Sequence, residues 1–138
     1  MDRIIGIDYG SARVGLAMSD PLGIFASPLE TVPCANIIEY LQKLTTSHTV
    51  ERFVLGWPLN LNGHPAQAAP DVLRFKERLL KTFPQIPVTM EDERFTSVLA
   101  HRAMIDGGMK KSDRRNKASV DKISAAIILQ GFLDRQQK

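Results

Sequence analysis

Apolar residues fill positions 4, 5 and 7 and return at 14, 16, 17 and 18 in the segment "IIGIDYGSARVGLAM", with several β-branched side chains among them. Two short apolar runs separated by "YGSA" predict strands over residues 3 to 8 and 13 to 18, joined as a hairpin. Gly10 can take a positive φ in that turn. A third strand is predicted around Ile24 to Val32. Pro28 within it has no N–H to give to a ladder, which assigns the strand to an edge or a bulge. The period then changes: Ile37, Leu41 and Leu44 share one helical face, with Asn36 as the cap, and a short strand from Arg52 to Gly56 follows.

Pro, Asn and Gly mark "WPLNLNGHPAQAAP" as a loop. Beyond it, Val72, Phe75, Leu79 and Phe83 recur at spacings of three and four and predict an amphipathic helix. "IPVTM" reads as a strand running into "EDERFTS". Thr96 or Ser97 is placed to cap a helix from Val98 to about Asp106, ended by Gly107 and Gly108. A last helix, Ser119 to about Arg135, is expected to turn Val120, Ile123, Ile127 and Phe132 inward. A hairpin followed by alternating helices and strands implies a mixed sheet with helices on both faces.

With 138 residues and 43% apolar composition, the chain suits one domain over residues 1–138 with its own core. No run approaches the roughly 20 apolar residues needed to span a bilayer, and no signal-peptide pattern opens the chain. The expectation is a cytoplasmic protein with no membrane partner. Its one cysteine, Cys34, has no partner for an internal disulfide. The net charge of +3 is only mildly basic, but residues 110–117, "KKSDRRNK", hold five basic side chains against one acidic. That run is either a solvated loop or a phosphate-contacting one.

Acidic residues carry most meaning at strand ends and helix starts, which converge at the rim of an α/β sheet. Asp8 closes the first strand, Asp92 and Glu93 close the last, and Asp121 opens the final helix. Each has an ordinary role available: a turn residue for Asp8, a cap or ion pair for Asp92 or Glu93, a helix-dipole partner for Asp121. Together they describe a site where repelling carboxylates call for a cation, and hard oxygen ligands favour Mg²⁺ or Mn²⁺. Such a site suits phosphodiester hydrolysis. Asp8 is expected to be exposed there. Trp57 is open to two roles, core packing or stacking on a base. His48, His64 and His101 share no motif.

Four segments, "IIGIDYGSARVGLAMSD", "VLGWPLNLNG", "EDERFTS" and "KASVDKISAAIILQGFLD", resemble in this order the signature segments of the YqgF family. These are Holliday-junction-resolvase-like proteins, also described as candidate pre-16S rRNA nucleases. The resemblance runs nearly end to end. It implies an α/β, ribonuclease H-like fold: a five-stranded mixed sheet of order 3-2-1-4-5 flanked by helices. It also implies a metal-dependent nuclease with Asp8, Glu93 and Asp121 as catalytic residues and ligands, Asp92 being the alternative to Glu93. Arg13, Asn60, Arg94, Lys110, Lys111, Arg114, Arg115 and Lys117 are the expected nucleic-acid contacts. Processing of the 5′ end of precursor 16S rRNA in ribosome biogenesis is the favoured function. The alternatives are resolution of DNA junctions, which calls for a C2 homodimer, and nucleic-acid binding without cleavage. "IGIDYGSARVGLA" is also similar to the first phosphate loop of actin-like ATPases and sugar kinases, but a second such loop is absent from this chain.

Overall fold

The computed structural model describes residues 2–58, 63–93 and 117–136. In chain order they form β1 (Arg3–Tyr9), β2 (Arg13–Ser19), β3 (Ala26–Pro33), a 3₁₀ turn (Cys34–Asn36), α1 (Ile37–Ser47), β4 (Val50–Trp57), α2 (Ala69–Thr82), β5 (Val88–Asp92) and α3 (Lys117–Gln136). The helix expected from Val98 lies outside the described residues. The strands make one sheet of order β3-β2-β1-β4-β5, the order implied by the resemblance. β1 runs antiparallel to β2 and parallel to β4, and β4 runs parallel to β5. The C-terminal ends of β1, β4 and β5 therefore share one rim, where β2 begins.

Alternation sorts the side chains onto two faces. Ile5, Ile7, Val14, Leu16, Phe53 and Leu55 pack under α1 and α2 against Ile37, Leu41, Val72, Phe75 and Leu79. The opposite face carries Ala17 and Val54 under Ala125, Ile128, Leu129, Phe132 and Leu133 of α3. Each large side chain buried this way contributes about 1.5–3 kcal/mol, and helices cover both faces as expected. Pro28 sits on edge strand β3 where the register with β2 shifts between Leu16 and Ala17, so the missing N–H interrupts no central ladder.

Three local readings are refined. Gly10 does not take a positive φ; among the described glycines Gly23 and Gly63 do. What the turn requires at Gly10 is space, since a Cβ there would lie 2.6 Å from the Arg13 carbonyl oxygen. Asn36 occupies the N-cap of α1, but its side chain makes no capping hydrogen bond, and the 3₁₀ turn leads the chain into the helix instead. In α3 Phe132 is buried as expected, together with Ser124, Ala125, Ile128, Leu129 and Leu133, whereas Val120, Ile123 and Ile127 are only half-buried. The reason is close packing against the sheet. A Cβ at Gly15 would overlap the Asp121 carbonyl oxygen, and one at Gly6 would lie 2.8 Å from the Ala125 carbonyl oxygen. The helix turns its small Ala125 toward this glycine-lined strip.

Candidate active site

Asp8 is the next-to-last residue of β1, on the α3 face, paired in register with Gly15 of β2. Its neighbour Tyr9 points the other way, stacks on Phe75 of α2 at a centroid distance of 4.3 Å and accepts a hydrogen bond from Cys34 Sγ at 3.2 Å. Burial pushes the Tyr9 phenol up to about 12, so it stays neutral. With Tyr9 held in this way, alternation directs Asp8 toward α3. Asp8 is half-buried rather than exposed as expected. Burial, then repulsion from Asp121, raises its carboxyl from 3.8 to about 6, against the lowering effect of a hydrogen bond with Glu93.

The alternation of β5 decides between the two neighbouring acids. Val88 and Met90 pack toward α1 and α2, whereas Glu91 turns to α3, where Arg135 holds it in an ion pair. Asp92 follows the first set and is exposed, so Glu93 falls on the Asp8 side. The Glu93 amide extends the ladder by donating to the Trp57 carbonyl at 3.2 Å. Burial first, then the Asp8 charge and a hydrogen bond donated to Asp8, raise the Glu93 carboxyl from 4.5 to about 8. At neutral pH the two carboxyls thus share a proton, the response of paired acids in a poorly solvated place.

Asp121 enters from α3, its height above the sheet set by the absent side chain of Gly15. Arg13, at the start of β2, donates from Nε to Asp121 Oδ2 at 2.8 Å. Asp8, Asp121 and the turn from Gly10 to Arg13 line a cleft of about 270 Å³. The structure therefore gathers Asp8, Glu93 and Asp121 at one rim from elements far apart in the chain. Three carboxyls, two of them with pKa values raised by burial and by each other's charge, have the chemistry of a hard-cation site. Asp121 is engaged by Arg13, and among the described residues no group of three acidic, His or Cys side chains is spaced to close around a metal ion.

Of the expected nucleic-acid contacts, Arg13 stands at the cleft, paired with Asp121. Asn60, Arg94, Lys110, Lys111, Arg114 and Arg115 lie outside the described residues. Lys117 is the first residue of α3, and its side chain is also outside them. Trp57 is half-buried and packs against the core under α1 and α2, the face away from Asp8. Sequence reasoning overlooked Gly15, although a glycine inside an apolar strand is a signal of close backbone approach.

A family model described as RuvX, Holliday junction resolvase, matches residues 2–135. The chain is 47% identical over 137 residues to a protein of Phocaeicola vulgatus named "Putative pre-16S rRNA nuclease", covering 99% of each. A relative of the same name from Azobacteroides pseudotrichonymphae is 47% identical over 138 residues, with both chains covered in full. Among solved structures, Thermus thermophilus RuvC in complex with a Holliday junction substrate aligns over 99% of this chain and 96% of its own, with TM-score 0.58 and 18% identity. The Fowlpox virus resolvase bound to Holliday junction DNA aligns over 99% of both chains, with TM-score 0.65 and 10% identity. At these identities the likeness is one of fold, and the fold is ribonuclease H-like.

Proposed function

We propose that this chain, which belongs to the RuvX Holliday junction resolvase family, is a metal-dependent nuclease that hydrolyses phosphodiester bonds in processing the 5′ end of precursor 16S rRNA. The observation that carries the chemistry is the meeting of Asp8, Glu93 and Asp121 at one sheet rim, with the first two raised to about 6 and about 8. The RNA substrate is supported by the names of relatives sharing 47% of their residues along the whole chain.

Asp8, Glu93 and Asp121 would hold Mg²⁺ or Mn²⁺ once Asp121 turns from Arg13 toward the other two, since their spacing in the free site does not close around an ion. A cation of this kind activates water and stabilises charge on the leaving oxygen. The chain's own residues do the rest. Glu93 keeps its proton on the hydrogen bond to Asp8 and so limits repulsion in the free site. Arg13 neutralises Asp121 across the cleft and, being 39% exposed, is open to a phosphate oxygen approaching from solvent. Its planar guanidinium offers donors to both partners. The tight Gly10 turn leaves the cleft accessible to a nucleic-acid backbone.

Resolution of four-way DNA junctions is the second reading, favoured by the description of the family model. One assay separates the two: a precursor rRNA fragment and a synthetic four-way junction are each incubated with the protein, with and without Mn²⁺ or Mg²⁺. The RNA is expected to be cut in a metal-dependent way. Asp8→Asn should reduce that cleavage to background while leaving binding of the fragment intact. Cleavage undiminished in Asp8→Asn would remove the metal mechanism; cleavage of the junction alone would move the substrate to DNA.

A further inference from the structure

β4 lies between β1 and β5, yet Glu93 follows β5 and bonds Asp8 on β1. Adjacent strands are about 4.8 Å apart, so two spacings, about 10 Å, separate the backbones that carry these acids. A glutamate can bridge that gap only by leaning across the intervening strand. The residue it leans over is Gly56. Ile7 pairs with Leu55, which brings Asp8 and Gly56 out side by side on the α3 face. A Cβ built on Gly56 would overlap Glu93 Oε2 and lie 3.1 Å from Glu93 Cδ. The glutamate carboxyl thus fills the volume that any other residue at position 56 would occupy.

We propose that Gly56 is a positioning residue for the acidic pair: its missing side chain is the passage through which Glu93 crosses β4 to meet Asp8. What is positioned, a metal-binding pair in a nuclease, rests on the proposed function; the passage itself rests on geometry alone. A competing role is to admit α3, since the same Cβ would lie 2.8 Å from Ile128 Cδ1. Both obstructing groups are far ends of flexible side chains, so Gly56→Ala should fold. The two roles differ in which side chain has to yield. Under the passage role it is Glu93, which rotates away from Asp8.

The test is a cycle of Gly56→Ala with Glu93→Ala, read by Mn²⁺ affinity from calorimetry or electron paramagnetic resonance. Gly56→Ala alone should weaken Mn²⁺ binding about 10- to 100-fold, as expected on losing a group that orients a ligand. Added to Glu93→Ala, it should change affinity by no more than about twofold, the scatter of substitutions that do not interact. No weakening by Gly56→Ala, or equal weakening in both backgrounds, overturns the proposal. The same cycle in EDTA, read as thermal midpoint, needs neither metal nor nuclease activity. There the loss caused by Gly56→Ala should shrink when Glu93 is truncated, and shrink less with Ile128→Val. Relief by Ile128→Val alone would assign Gly56 to helix packing. If wild-type protein binds no Mn²⁺ and cuts nothing, the proposed function fails, and the metal-free cycle still decides the role of Gly56.

Discussion

Asp8 and Glu93 each bind a proton more tightly in the folded chain than in a free carboxylate, and this sets the pH dependence of the metal-free protein. Their pKa values rise from 3.8 to about 6 and from 4.5 to about 8. Where the native state holds more protons than the unfolded one, stability falls as pH rises. The contribution is therefore fully present below about pH 4, declines as pH climbs and is lost above about pH 8. In EDTA the thermal midpoint should fall between pH 5 and pH 8. Glu93→Gln keeps a neutral side chain able to donate to Asp8, so it should flatten the upper part of that curve, from about pH 6 to 8. A midpoint that rises with pH over this range would contradict the proton-sharing arrangement. Much of this was legible beforehand: acids at strand ends and at a helix start mark a rim whatever the details. The choice of Glu93 over Asp92 was also latent in "VTMEDE", since Val88 and Met90 establish which alternate positions face the core. The Arg13–Asp121 pair was not, because 108 residues separate its members and no local period connects them.

Among the elements, α3 has most bearing on the site, because it delivers Asp121 at one end and clamps β5 through Arg135 and Glu91 at the other. Its height above the sheet depends on Gly15, where an added Cβ would overlap the Asp121 carbonyl and lie 2.9 Å from the Lys122 nitrogen. These are backbone atoms, so neither yields by a rotamer change. Gly15→Ala should therefore cost about 1–3 kcal/mol, the usual range for overpacking, and should move Asp121 away from Asp8. Chemical denaturation measures the first effect. Weaker Mn²⁺ binding at a pH where the variant is fully folded measures the second. A neutral Gly15→Ala would mean that α3 does not bear on β2 as described. The same contact explains why the buried side of α3 was read only in part from its sequence, with Phe132 placed correctly and its centre on Ala125, Ile128 and Leu129 missed. Apolar residues occur all round this helix, so periodicity gave no clear face, and backbone-level contact with the glycines determined it instead. The strands were easier to place, because two-residue alternation and turn residues bounded them directly.

At the scale of the whole molecule, strand order was outside the reach of local pattern, since alternation reports that a strand exists and not which strand lies beside it. The resemblance supplied the order 3-2-1-4-5, and the pairings agree with it. Charge is likewise a property of the whole. A net +3 spread over 138 residues attracts a polyanion weakly, but five basic residues fall within the eight positions just before and at the start of α3. As α3 also carries Asp121, a phosphate backbone gathered by that run would be tethered close in sequence to the acidic site. Each phosphate neutralised by a Lys or Arg contributes about 0.9 to the slope of log affinity against log salt on duplex DNA, and about 0.7 on single strands. Neutralising Lys110, Lys111, Arg114 and Arg115 together should weaken binding of an rRNA fragment at low salt and shallow that slope by up to about 3. Fluorescence anisotropy between about 50 and 200 mM salt covers the range in which such losses are largest. Asp8→Asn, measured alongside, should keep the parental slope, because it alters the acidic site and leaves the basic run intact. If the fourfold variant also keeps the parental slope, residues 110–117 are a solvated loop, and the phosphates are held by Arg13 and the cleft instead.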